Sequence, residues 1–278
     1  MSSLEETMLL KDKVVIITGA SKGLGISMAE VCAAEGARVV LAARTMEQLR
    51  TVEGRIRSRG GMAHAIRCDM SVMADLQALV DGAVGEFGAI HGLINNAGVN
   101  YAKPFLDTTE ADWDRVIDTD LKGSFFLTQL CARQMVRQTP RGGSIVNIAS
   151  VHTLASLPGA APYDAAKHGM VGFTKSVAVE LAKDNVRVNV LSPGLCRTEI
   201  WNDLVSAAPS EQACIDYWND NIPAQRLIEP EEIARGCVFL LSDLSSSFTG
   251  ANLLADLGMT SQLISREPFK SKAIDGTR

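Results

Sequence analysis

The chain has 278 residues, 46% of them hydrophobic and 21% charged, with a formal net charge of -5 and a pI near 5.5. Such a chain can bury a large core and lies far from the disordered range. The acidic balance offers no footprint for nucleic acid, no apolar run reaches the ~20 residues of a membrane span, and no metal-ligand spacing appears.

Six cysteines (Cys32, Cys68, Cys131, Cys196, Cys214, Cys237) are scattered without a Cys-x-x-Cys pair and read as small apolar fillers in a reducing compartment. The start of the chain lacks the basic and apolar regions of a secretory signal, so a cytoplasmic location is expected. In chain order, short apolar runs at 14–18, 38–42, 63–67, 92–94, 144–148, 187–191 and 252–255 read as strands. Between them, helical periodicity covers 24–35, 46–59, 72–87, 110–138, 163–183 and 230–242. Strands without polar alternation, separated by helices, predict one α/β domain over 1–278: a doubly wound parallel sheet of about seven strands with helices on both faces. The stretch 196–226 is irregular and follows a strand end, so it is expected to be a substrate lid. The tail 260–278 is polar and is expected to pack on a neighbouring subunit or to fray.

The first strand runs into Thr18-Gly19-Ala20-Ser21-Lys22-Gly23-Leu24-Gly25, which opens a helix. Glycines there permit a tight turn and let backbone N–H groups approach a pyrophosphate at the positive helix end. The second strand ends at Ala42-Ala43-Arg44 with no acidic residue to hold a ribose diol. Arg44 and Lys22 instead offer two cations for a 2′-phosphate, so NADP(H) is favoured over NAD(H).

Tyr163 and Lys167 stand four positions apart in a helical run and share one face. A free tyrosine titrates near ~10, and a fixed cation within reach is the direct way to make its phenolate accessible at neutral pH. The spacing alone also fits a surface lysine beside a half-buried tyrosine.

Taken together, these residues resemble the short-chain dehydrogenase/reductase family, from about Lys13 to Gly258. The ordered matches are the glycine turn, Asp69 after the third strand, Asn95-Asn96-Ala97-Gly98 after the fourth, Ser150 after the fifth, Tyr163-x3-Lys167, and Pro193-Gly194 with Thr198 after the sixth. The resemblance implies a Rossmann-like fold. It implies that Asp69, with Met70 beside it, accepts the adenine amino group and that Asn96, Ala97 and Gly98 line the adenosine ribose. It makes Tyr163 the general acid/base, Ser150 the donor that orients the substrate carbonyl, and Lys167 the grip on the nicotinamide ribose. Pro193, Gly194 and Thr198 fall near the carboxamide. It also implies a homo-oligomer, tetramer or dimer, built around the helices at 110–138 and 163–183.

Two positions depart from the family pattern. Asp120 stands where an asparagine is usual. If a backbone carbonyl matters there, the side chain is tolerated; if the carboxylate approaches Lys167, it alters the catalytic charge. Asp256-Leu257-Gly258 replaces Asp-Gly-Gly, and the leucine is expected to adjust packing at a subunit contact.

His152 and Asn100 leave strand ends beside the expected nicotinamide site and could line a substrate pocket, with Lys103 and Arg226 within possible reach of an anionic group. Polar pocket residues suit a sugar, polyol or hydroxy acid. The expected reaction interconverts a secondary alcohol, or a sugar hemiacetal, and a carbonyl. One alternative is a 3-oxoacyl-carrier-protein reductase, which requires a basic docking patch that the sequence does not display. Another is a non-catalytic cofactor-binding regulator, for which Asp120 is the only support.

Overall fold

The computed structural model describes residues 8–262. The strand β1 (Val14–Thr18) is buried along its whole length, as an apolar run without alternation requires. Successive side chains leave opposite faces of a strand. Accordingly Val15 and Ile17 join one apolar layer with Met28, Cys32 and Cys237, while Val14 and Ile16 join the other with Leu76, Leu79 and Leu127. Parallel pairing continues through β2 (Arg38–Ala43), β3 (Met62–Arg67), β4 (Gly92–Asn95), β5 (Gly143–Ile148), β6 (Val186–Pro193) and β7 (Asn252–Ala255).

The sheet order is β3-β2-β1-β4-β5-β6-β7, so the winding direction reverses between β1 and β4, where Ile16 pairs with Leu93. In open α/β sheets that reversal opens a crevice at the carboxyl ends of the strands. Both faces are covered by α1 (Gly23–Ala34), α2 (Met46–Ser58) and α3 (Met73–Phe87), and later by α4 (Glu110–Val116), α5 (Gly123–Arg137), α6 (Ala161–Leu181) and α9 (Pro230–Leu241). The seven-stranded, doubly wound sheet expected from the sequence is therefore present. The six thiols are free and buried, and burial pushes that of Cys32 up to about 12.

Three local readings are corrected. The helix expected over 110–138 is interrupted by a π-helical turn, Ile117–Lys122, between α4 and α5. A hydrophobic period of 3.6 does not report one inserted residue. Here α5 begins against the loop after β3, where a Cβ on Gly123 would stand 2.4 Å from the Met70 carbonyl oxygen. The stretch 196–226 is not irregular but holds two short helices, α7 (Glu199–Ala207) and α8 (Glu211–Asn221), around an apolar cluster of Trp201, Cys214, Ile222 and Leu227. Helices this short carry too few turns for periodicity to stand out, although Ser210 caps α8 by accepting the Ala213 N–H at 3.1 Å. Leu257 sits at φ 55° and packs inside its own chain, against both the central apolar layer and the Trp201 cluster. Most of the tail expected at 260–278 lies outside the described residues.

A buried polar chain ties the middle of the fold. The Asn95 amide donates to Asn147 Oδ1 at 2.8 Å and Thr128 Oγ1 at 2.9 Å, and the Asn147 amide donates to Thr174 Oγ1 at 2.8 Å. It joins β4, β5, α5 and α6, the elements that carry the cleft. Asn147→Ala removes one acceptor from the Asn95 amide and leaves the buried Thr174 hydroxyl without its donor, so it is expected to cost about 1–3 kcal/mol, read as a lower urea midpoint.

Candidate active site

The carboxyl ends of β1 and β4 are laced together. Thr18 Oγ1 accepts from the backbone N–H of Asn96 and of Ala97, each at 3.0 Å, and the Asn96 amide donates back to the Thr18 carbonyl at 2.9 Å. Asn96 therefore holds the glycine turn in place as well as lining the cleft. The turn admits no side chains at two points: Gly19 has φ 66° and a Cβ there would lie 2.9 Å from Ala97 Cα, while a Cβ on Gly25 would lie 2.1 Å from the Gly19 carbonyl oxygen. The helix that follows has no side-chain cap at Lys22 and no acidic residue in its first turn. A bare helix start beneath a bed of glycine backbone is the environment a phosphate requires, so these residues fit a dinucleotide.

A cleft of about 520 Å³ opens above this turn. Gly19, Lys22, Gly23, Leu24, Asn96, Ala97 and Gly98 form one side; Pro193, Gly194 and Thr198 form the other. Ser150, His152, Tyr163, Lys167, Asp120 and Asn100 complete it. An adjoining hollow of about 230 Å³ brings Ser21, Arg44, Asp69 and Met70 next to Lys22 and Gly98. Burial opposes ionisation of Asp69, yet hydrogen bonds from Ser71 and the nearby Arg44 hold its carboxyl below the usual range. Gly25 lines neither space and acts only through the close packing of the turn.

Lys167 is not a surface lysine: its side chain is 5% exposed. The ammonium donates to the Ile148 carbonyl at 3.2 Å, stands 3.3 Å from Asp120 Oδ2, and lies 5.3 Å from the centre of the Tyr163 ring. Burial alone would lower its pKa, but the charge of Asp120, reinforced by Tyr163, holds it above the ordinary lysine value. The carboxylate of Asp120 thus approaches Lys167 directly. Its Oδ1 accepts the Val99 N–H at 2.8 Å, while Oδ2 makes the ion pair without an aligned hydrogen bond.

Ser150 Oγ accepts the His152 N–H at 3.2 Å, which orients the turn after β5. The His152 ring meets Tyr163 edge to face, with centroids 5.3 Å apart. Its Nδ1 is 2.6 Å from Asp164 Oδ1, and the other Asp164 oxygen accepts from Ser156 in a short hydrogen bond. Asn100 lies exposed at the rim. Lys103 and Arg226 do not line the cleft: Lys103 pairs with Asp112 at 2.7 Å, and Arg226 grips both oxygens of Glu232 at 2.7 and 2.8 Å.

A family model described as enoyl-(acyl carrier protein) reductase matches residues 19–260. An L-rhamnose 1-dehydrogenase (NAD(P)(+)) of Azotobacter vinelandii is 34% identical over 256 residues, spanning 91% of this chain and 98% of that protein. A cyclopentanol dehydrogenase of a Comamonas species is 33% identical over 251 residues, spanning 90% and 98%. A solved short-chain type dehydrogenase/reductase from Mycobacterium marinum superposes with a TM-score of 0.85 at 34% identity, covering 92% of this chain and 99% of its own. The chain belongs to the short-chain dehydrogenase/reductase family. It is an oxidoreductase of that family, acting on CH–OH groups with a nicotinamide dinucleotide. Among the described residues, no helix of this dehydrogenase/reductase is long and apolar enough to cross a membrane.

The segment holding α7 and α8 contributes what the sequence reading missed. Ile200 and Leu204 of α7 and Trp218 of α8, with Met259, supply an apolar wall to the cleft. Glu199, at the start of α7, places Oε2 3.1 Å from where a Gly23 Cβ would be, so a carboxylate leans on the phosphate bed of this dehydrogenase/reductase. Like charges at such range repel by about 1 kcal/mol in a solvated cleft. Glu199→Gln is therefore expected to tighten NADP+ binding by about fivefold in a fluorescence titration. An unchanged Kd would show that the carboxylate never meets the phosphates.

Proposed function

We propose that this enzyme interconverts a secondary alcohol, or a sugar hemiacetal, and a carbonyl on a small polar substrate, using NADP(H) in preference to NAD(H). One observation carries the reading. Tyr163 shares the cleft above the glycine turn with Ser150 and with a buried ammonium fixed by the Ile148 carbonyl and Asp120. When bound, the dinucleotide supplies or accepts hydride at the reacting carbon. The protein does the rest. Backbone N–H groups between Gly19 and Leu24 bind the phosphates, and Arg44 with Lys22 attracts the 2′-phosphate. Asp69 and Met70 hold the adenine, Asn96 to Gly98 the adenosine ribose, Lys167 the nicotinamide ribose, and Pro193, Gly194 and Thr198 the carboxamide. Tyr163 gives a proton to the substrate oxygen during reduction and removes it during oxidation, while the Ser150 hydroxyl donates to that oxygen and stabilises developing charge. The fixed ammonium of Lys167 favours negative charge on the phenol oxygen.

His152 and Asn100 provide hydrogen-bonding groups on one side of the substrate space, and the apolar lid wall faces the carbon skeleton. A sugar ring has both characters, and one relative is named a rhamnose dehydrogenase. The 3-oxoacyl-carrier-protein alternative takes support from the description of the matched family model. It needs free cations to dock an acidic carrier, whereas Lys103 and Arg226 are already paired with carboxylates. A purely regulatory role leaves the meeting of Ser150, Tyr163 and Lys167 without purpose. Exposed Phe125 on α5 and Val179 on α6 support a homo-oligomer built on those helices.

Tyr163→Phe is expected to lower turnover by about 10²–10⁴ while NADP+ binding persists. Full turnover in this variant would refute Tyr163 as the acid/base. Arg44→Ala is expected to cut the kcat/KM preference for NADP+ over NAD+ by about tenfold or more, the weight of one charge-assisted contact. The substrate class is tested by screening sugars, polyols, hydroxy acids, cyclopentanol and acetoacetyl thioesters for reduced-nicotinamide absorbance. Activity confined to the thioesters, or to cyclopentanol, would overturn the polar-substrate assignment.

A further inference from the structure

We propose that Asp120 is a positioning residue that sets the pH range in which Tyr163 exchanges its proton, acting as a buried counter-charge to Lys167. The inference rests on Tyr163 being the acid/base and adds to that reading a preference for carbonyl reduction at neutral pH.

The π-helical turn sorts its charges. Asp118 and Lys122 pair at the surface at 2.9 Å, whereas Asp120, between them, is completely buried. The backbone is shaped around this carboxylate. A Cβ on Gly98 would stand 2.8 Å from Oδ2, and the Val99 N–H is spent on Oδ1. Nothing in the ion pair is free to swing away, because the ammonium is also tied to the Ile148 carbonyl. π-Helical insertions occur often at functional sites, and this one directs an acidic group at the amine behind the catalytic phenol.

Two effects follow from the pair. A buried ammonium without a partner tends to shed its proton, so Asp120 keeps Lys167 cationic. The same carboxylate cancels part of the field that Lys167 exerts on the phenol. Both charged side chains are buried, so they are screened less than a surface pair. The phenol therefore keeps its proton to higher pH than it would beside an unpaired ammonium. A protonated phenol is the form that reduction requires; oxidation requires the phenolate and is displaced toward alkaline solution. The other titratable groups facing Tyr163 are His152, which is held by Asp164, and Tyr101, whose hydroxyl donates to Thr108. His152 meets the phenol ring directly, so it needs its own control.

With Lys167 kept cationic by the Ile148 carbonyl, the sign is fixed. Removing a negative charge from this site stabilises the phenolate and moves the ionisation to lower pH. In profiles of kcat/KM against pH, Asp120→Asn is expected to shift the acid limb of alcohol oxidation downward by about one pH unit, or about tenfold in rate at a fixed pH on that limb. The alkaline limb of carbonyl reduction should move the same way. Asp120→Ser, smaller and equally neutral, should reproduce the shift, and His152→Gln should leave the difference between Asp and Asn at 120 intact. A limb that stays in place or moves upward in both variants would overturn the proposal. So would loss of all activity in both with far-UV circular dichroism and NADP+ binding preserved. Tyr163→Phe separates the two levels: turnover that survives it refutes the acid/base reading itself. An inert Tyr163→Phe with an unmoved Asp120→Asn profile refutes only the counter-charge.

Discussion

A primary amine that has given up its water organises this protein. Lys167 is buried, and burial of an ammonium is tolerated only where hydrogen bonds and opposite charge replace the lost hydration. The replacements come from three places: the Ile148 carbonyl at the end of β5, the Asp120 carboxylate on the π-helical turn, and the Tyr163 ring one turn back on α6. Each of those elements is in turn fixed by something else. The end of β5 is held by its pairing with β4 and β6, and the Asn95–Asn147–Thr174 chain locks α6 against the sheet. The reactive geometry is consequently a property of the whole sheet and not of a loop.

The same logic explains the other half of the cleft. A phosphate bed must offer backbone N–H groups and exclude side chains, and the Thr18–Asn96 lacing brings β4 so close to the glycine turn that only glycine fits at 19 and 25. Because β1 and β4 flank the reversal of winding, the bed and the buried amine open into one space. The glycine turn and the Tyr163–Lys167 pair meet there by topology.

The strands were legible because a two-sided parallel sheet writes itself as apolar runs such as 14–18, and the helix limits because glycine and proline punctuate them. Many residues meeting in the cleft were legible for a different reason, since they follow strand ends and strand ends converge, while Tyr163 and Lys167 showed by their four-residue helical spacing. What escaped were features with no periodic signature. The π-helical insertion changes the hydrogen-bond register without changing composition. The helices α7 and α8 are nine and eleven residues long, and their apolar faces serve a private cluster as well as the cleft. Asp120 shows the limit most plainly, since both a tolerated side chain and an approaching carboxylate fit the sequence. Only the inward turn of the π-helical segment distinguishes them.

That private cluster bears on how the cleft is entered. Trp201, Cys214, Ile222 and Leu227 form a small nucleus of their own, joined to the main body partly through Leu257. A segment with an internal nucleus is ordered before anything enters the cleft. A ligand that docks against it then avoids the heavy entropy loss of freezing a slack strand of chain.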